Sequence, residues 1–140
     1  GHRPAKCDIL CRMALLLAGI FGFLGVAAGA FGAHALQGKL TPHDLEIYHK
    51  AAHYQLWHAL ALGLVGVLGL VERAQPAAGW LRASTAGFTV GVLVFSGSLY
   101  LLVFTGIRRF GMITPLGGVG FLVGWACLAV AATRLRPPAG

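Results

Sequence analysis

Four stretches of the chain carry no Asp, Glu, Lys or Arg: residues 13–38, 51–71, 83–107 and 110–133. Each exceeds the ~18–20 residues that a helix needs to cross a hydrocarbon core of roughly 30 Å. The runs are continuously apolar, whereas barrel strands would alternate over about 10 residues, so helices are expected. The pattern predicts spans at about 13–37, 43–71, 83–106 and 114–133, and hence an all-α, integral membrane four-helix bundle. Residues 13–133 form its single domain, between a basic N-terminal tail at 1–12 and a short C-terminal tail at 134–140.

The links between runs carry helix-boundary chemistry. In "LTPHD", Thr41 suits an N-cap, Pro42 the first helical position and Asp44 the third, so the second helix begins before its apolar part. "ITPLGG" repeats the device with Thr114 and Pro115, after the tight link "GIRRFG". "ERAQPAAGW" is the turn before the third helix, with Trp80 where an interfacial aromatic belongs. "RPPAG" stops the last helix.

Composition strengthens this reading. The chain is 57% hydrophobic and only 11% charged, against roughly 25% charged in an ordinary soluble domain. The net charge of +7 arises from only four acidic residues as much as from abundant bases, and the bases are not clustered on a polar domain. It is a membrane signature, not a nucleic-acid footprint. Arg3, Lys6, Arg12, Arg73, Arg82, Arg134 and Arg136 fall on one side of the bundle, seven in all, against four on the other, Lys39, Lys50, Arg108 and Arg109. The positive-inside rule then puts both termini in the cytoplasm. The first run has basic residues before it and small ones within, as a signal peptide does. Its apolar part is longer than the usual 7 to 15 residues, and three more runs follow, so it is expected to remain as a span. Cys7, Cys11 and Cys127 form no CxxC pair and suit small apolar fillers.

Glycine is patterned on two helices. Gly22, Gly25, Gly29 and Gly32 fall on one stripe of the first helix, and Gly117, Gly120 and Gly124 on one stripe of the last. Small residues let helix backbones approach closely in lipid, where there is little hydrophobic drive to association. Contact within one chain is favoured over contact between chains, although an oligomer fits the same stripes.

Polar residues inside the spans are the candidates for function, since burying them in lipid is costly. On the second helix Glu46, His49 and His53 share one stripe, while Tyr54 and His58 share another, roughly opposite. Glu46-x-x-His49 has the form of half a di-metal carboxylate motif, but the other helices hold no acids to complete it. A single metal on His49, His53 and Glu46 is geometrically feasible, yet such a stripe more often forms the solvated first turns of a long helix. Haem between His34 and His58 would need the two histidines at one depth, and His34 lies nearer the surface. "FSGS" on the third helix lacks the acid and the preceding strand of a hydrolase elbow. No catalytic constellation, cofactor motif or phosphate loop is therefore assigned.

The stretches "GAFGAHAL", "YQLWHALAL", "FSGSLYLL" and "ITPLGGVGFLVGWACLA", in that order, resemble the YgdD-like family of small inner-membrane proteins, a domain of unknown function with a eukaryotic branch. The resemblance covers about residues 14–133. It implies a four-helix protein of the bacterial inner membrane and brings no established activity. The family pattern falls on Gly29, Phe31, Gly32, Ala33 and His34; on Tyr54, Gln55 and His58; on Ser96, Gly97, Ser98 and Tyr100; and on Thr114, Pro115, Gly117, Gly118 and Trp125. His49 and His53 are outside it, and the basic segment before Met13 is unlike the family's short start.

The expectation that follows is a buried polar network of His34, Tyr54, Gln55, His58, Ser96, Ser98 and Tyr100 in the outer half of the bundle. Such a network fixes one packing arrangement, or lines a small pocket for a lipid head group or quinone. The leading functional expectation is an accessory or interaction protein, with membrane lipids and other membrane subunits as partners. Small-molecule binding, or permeation through an oligomer, comes second. A haem or metal redox protein comes third.

Overall fold

The structure, a computed structural model, describes the backbone of residues 5–140 and side chains from Ile9 onward. Arg3 lies outside the described residues, as do the side chains of Lys6 and Cys7. Among the described residues five α-helices follow one another: α1 (Ala5–His34), α2 (Pro42–Gly69), α3 (Ala78–Gly91), α4 (Gly97–Thr105) and α5 (Thr114–Thr133). A π-helical turn, Val92–Ser96, joins α3 to α4 into one continuous span, and 3-10 turns occupy Glu72–Ala77 and Arg108–Met112. Among the described residues there is no strand, and four stretches are long and apolar enough to cross a membrane: Ile9–His34, Pro42–Gly69, Glu72–Thr105 and Arg108–Thr133. The protein is a four-helix membrane bundle.

Helix limits differ from charge limits, and at both ends of α1 and the start of α3 the cause is plain. α1 begins at Ala5, inside the expected tail, because Ala, Lys, Leu and Arg extend a helix readily and nothing between Ala5 and Met13 breaks it. It ends at His34, before the uncharged run does, and the chain turns through Gly38 at φ 81°, a left-handed conformation that glycine adopts without strain. α3 begins at Ala78, ahead of Arg82, whose long side chain carries its charge outward without ending the helix.

The two Thr-Pro devices also part company. Thr41 caps α2 as expected, its hydroxyl accepting from the Asp44 amide at 3.1 Å. Thr114 does not cap α5. The helix is entered from Ile113, already helical at the end of the 3-10 turn, and the Thr114 hydroxyl instead lies 2.6 Å from that of Ser98.

Packing divides the bundle into two pairs. α1 lies against α2, with only a minor contact to α3, and α3 lies against α5. α2 joins the pairs by also touching α3, the π turn and α4. The main core gathers Leu62, Leu81, Phe88, Val92 and Phe121, and a smaller cluster near the Lys39 end gathers Leu36, Tyr48, Leu102 and Val103. Apolar side chains such as Leu16, Phe23, Leu60 and Leu122 point outward, which in a membrane is towards lipid.

Glycine contacts follow the two pairs. A Cβ on Gly25 would come 2.8 Å from the end of the Leu56 side chain, and one on Gly32 would come 2.5 Å from the Tyr48 ring; Gly22 only reaches Ala59, and Gly29 faces open space. On α5, a Cβ at Gly117 would stand 2.3 Å from the backbone nitrogen of Phe95, and one at Gly120 would stand 3.1 Å from the Gly91 nitrogen. Gly124 receives the Phe88 ring. The helices thus touched are α2 for the first stripe and α3 with its π turn for the second. Cys11 is buried with its sulfur over Gly69, and Cys127 is buried on α5.

Each end of the bundle is tied across elements. At one end Arg73 and Arg136 exchange two bonds, the Arg136 amide donating to the Arg73 carbonyl and the Arg73 Nε to the Arg136 carbonyl, both at 2.9 Å. At the other, Arg108 pairs with Asp44 at 3.3 Å.

Candidate functional site

The polar residues of the spans do not form one network. Those around α2 separate into two groups on different faces of that helix, because Gln55 and Tyr54 are successive positions about 100° apart.

The first group clamps three spans. Tyr100 on α4 donates from its hydroxyl to Gln55 Oε1 at 2.9 Å, and Gln55 Nε2 donates to the Phe21 carbonyl of α1 at 2.9 Å. Two turns up α2, Tyr48 donates to the Ala28 carbonyl at 2.5 Å, so α2 grips α1 at two levels. The Gln55 amide carries a donor on Nε2 and an acceptor on Oε1, so it donates to α1 while accepting from α4.

The second group faces α5. His58 Nδ1 is 2.7 Å from the Tyr54 carbonyl, and the Trp125 indole N–H donates to His58 Nε2 at 3.1 Å. A carbonyl only accepts and an indole N–H only donates, so the neutral tautomer with its proton on Nδ1 satisfies both contacts. The imidazole lies flat on Phe121, with ring centroids 3.6 Å apart and planes 10° from parallel. Tyr54 continues the stack onto Phe95 at 4.5 Å.

Both serines of "FSGS" serve packing. Ser96, in the π turn, donates to the Ala51 carbonyl of α2 at 2.8 Å. The same turn presses the Phe95 backbone against Gly117, so adjacent residues reach two neighbouring helices. Ser98 donates to the Phe95 carbonyl at 2.9 Å, which leaves the Thr114 proton to bridge the two hydroxyls.

His34 is exposed at the end of α1 and belongs to neither group. His49, His53 and Trp57 stack in succession along an outward face of α2, with centroids 6.2 and 6.1 Å apart. Among the described residues, no three His, Cys, Asp or Glu side chains stand close enough to hold one metal ion. No buried side-chain nitrogen or oxygen among them lacks a hydrogen-bond partner.

Reasoning from the residues alone passes over several members of this arrangement. Tyr48, Ser84 and Phe121 carry no mark in the sequence pattern, and Trp125 is pointed to only by the family resemblance. Ser84 donates to the Gly124 carbonyl at 2.8 Å, while Thr85 and Thr89 bond to their own helix four residues back. The available signal was the position of Ser84 in an uncharged run, where its hydroxyl requires a partner.

Two grooves flank α2. One, of about 880 Å³, runs between α1 and α2 over a floor that includes Ala18, Gly22, Ala59 and Gly63. The other, of about 730 Å³, runs between α2 and α5 beside Tyr54, His58 and Trp125.

This geometry defines a small four-span membrane protein whose buried polar groups tie helix to helix. The chain belongs to the family described as "Protein of unknown function (DUF423)", which matches residues 28–118. It is similar to the UPF0382 membrane protein SAB0533 of Staphylococcus aureus, 43% identical over 121 residues, covering 86% of this chain and 94% of the relative. It is also similar to the UPF0382 membrane protein YwdK of Bacillus subtilis, 40% identical over 125 residues, covering 88% and 98% respectively. No solved structure matches.

Proposed function

We propose that this protein is an accessory or interaction subunit of the bacterial inner membrane, with both termini in the cytoplasm and no chemistry of its own. A helix of a larger membrane protein is the partner, received in the groove between α1 and α2. The observation that carries this reading is the groove's floor. Ala18, Gly22, Ala59 and Gly63 lie between exposed walls of Leu60, Leu64, Val67 and Val26. A floor of small residues lets another backbone come near and gain dispersion contacts, the usual route to helix association in lipid.

Two further features support it. Gln55, Tyr100, Ser96, His58 and Trp125 are used in holding helices together. The described bases Arg12, Arg73, Arg82, Arg134 and Arg136 belong to the end where the Arg73 and Arg136 backbones meet, against Lys39, Lys50, Arg108 and Arg109 towards the other. Kinship with the YgdD-like proteins, carried by the motifs around His34, His58, Ser96 and Thr114, belongs to the same reading.

The test is native mass spectrometry of the tagged chain, gently extracted from its own membranes, beside Gly63→Leu. A Cβ on Gly63 meets only Ala18 at 3.8 Å, so the larger side chain fills the groove without striking the fold. A fixed-stoichiometry complex with another membrane protein, lost in Gly63→Leu, is the expected result. Recovery alone or only with itself, or a complex indifferent to Gly63→Leu, overturns it.

A further inference from the structure

The groove between α2 and α5 is built differently from the one proposed for a partner helix. Its walls are aromatic: Tyr54 and Trp57 on one side, Phe121 and Trp125 on the other, with His58 at its base. Trp57 is 54% exposed and Trp125 45%, so the groove opens sideways, towards lipid. Gly118 also lines it, and a Cβ added there meets nothing within 4 Å, which leaves the middle of the groove open.

One polar group here is uncommitted. His58 and Trp125 satisfy each other, and Gln55, Tyr100, Ser96 and Ser98 are all engaged elsewhere. The Tyr54 ring is held in place by Phe95 and His58, yet among the described residues its hydroxyl has no hydrogen-bond partner. Tyr54 lies one helical turn inside Lys50, the last charged residue before the apolar run of α2. Tyrosines so near the charged end of a span are favoured at membrane interfaces.

We propose that this groove binds a planar, carbonyl-bearing ring carried on an apolar tail, the chemistry of a membrane quinone. The ring lies among the aromatic walls, where offset and edge-on stacking favour flat π-systems. Its carbonyl accepts from the Tyr54 hydroxyl, and its tail leaves through the open side into lipid. Only binding is proposed, with no electron transfer. The site is separate from the α1–α2 groove, so failure of either reading leaves the other standing.

The experiment is quenching of tryptophan fluorescence in the purified protein by a decyl-substituted benzoquinone, with Trp57 and Trp125 as reporters. Saturable quenching is expected. Tyr54→Phe, which removes only the hydroxyl, weakens binding about fivefold to tenfold. Gly118→Leu, which fills the groove, abolishes saturation while the melting temperature holds. Trp80→Phe, at the start of α3, leaves the affinity unchanged. Quenching that rises linearly with quinone reflects partition into the micelle and overturns the proposal. So does an affinity that Tyr54→Phe leaves intact. Competition by decanol as strong as by the quinone means that the groove takes the chain and not the ring, and overturns it too. Should Gly118→Leu lower the melting temperature, Gly118→Ala together with Tyr54→Phe decides the question.

Discussion

The seam between α1 and α2 and the seam between α3 and α5 both rest on glycine, but the glycines make room for different things. Along α1, Gly25 and Gly32 leave space for side chains, the Leu56 tip and the Tyr48 ring. Along α5, Gly117 and Gly120 leave space for backbone, at Phe95 and at Gly87 and Gly91, and only Gly124, further along, takes a side chain, the Phe88 ring. A side chain can rotate away from an intruder, whereas a backbone moves only if its helix moves. The α3–α5 pair is accordingly the fixed half of the molecule. The α1–α2 pair is filled by adjustable side chains, and it is α1 that leaves most of its surface outward. The half with room to adjust carries the groove assigned to a partner helix.

This contrast can be broken most forcefully at Gly117. A Cβ there would stand 2.3 Å from the Phe95 nitrogen, so Gly117→Ala is expected to cost about 3 kcal/mol, the upper end for overpacking. Thermal unfolding in a single detergent measures it. Next comes Gly32→Ala, where the Tyr48 ring must turn and release the Ala28 carbonyl; a loss of about 1–2 kcal/mol is expected in the same assay.

The polar clamp sharpens the comparison, because it crosses from α1 through α2 to α4. Gln55→Leu leaves the Tyr100 hydroxyl and the Phe21 carbonyl unpaired by it, and should cost about 1–3 kcal/mol. Adding Tyr100→Phe removes the stranded hydroxyl and should restore part of that loss, a coupling that a double-mutant cycle reads directly. Asp44→Asn, at the exposed pair with Arg108, should have the smallest effect, under about 1 kcal/mol and declining as salt is raised.

The division into two seams was only half legible beforehand. Uncharged runs reveal the spans because a charge in hydrocarbon is costly, and Thr41-Pro42 marks the start of α2 because its cap is local, between residues three apart. Thr114-Pro115 carries the same local signal, yet its hydroxyl goes to Ser98 on another helix, which no local rule foresees. The stripes on α1 and α5 are visible as spacing, but spacing does not name the opposing surface. Gly29 lies on the stripe, yet a Cβ there would meet nothing, while Gly87 and Gly91, which complete the α5 seam, stand four apart on α3 among larger residues.

The same limit governs the candidate site. Polar residues in spans are conspicuous, but their directions depend on helix rotation. Tyr54 and Gln55, adjacent in sequence, therefore end in different groups. The π turn adds a rotation that the residue pattern does not announce, and it alone turns Ser96 to α2 while Phe95 meets α5. His34, prominent in its motif, is left exposed at a helix end.

The central claim is that backbone closes the α3–α5 seam at Gly117 and Gly120, while side chains fill the α1–α2 seam at Gly25 and Gly32. It is tested most directly by the unfolding stabilities of Gly117→Ala and Gly25→Ala, measured together in one detergent. Gly25→Ala displaces only the mobile end of Leu56 and gains helix propensity, so it should stay within about 1 kcal/mol of the parent while Gly117→Ala falls well below. Equal losses, or a tolerated Gly117→Ala, would contradict the claim.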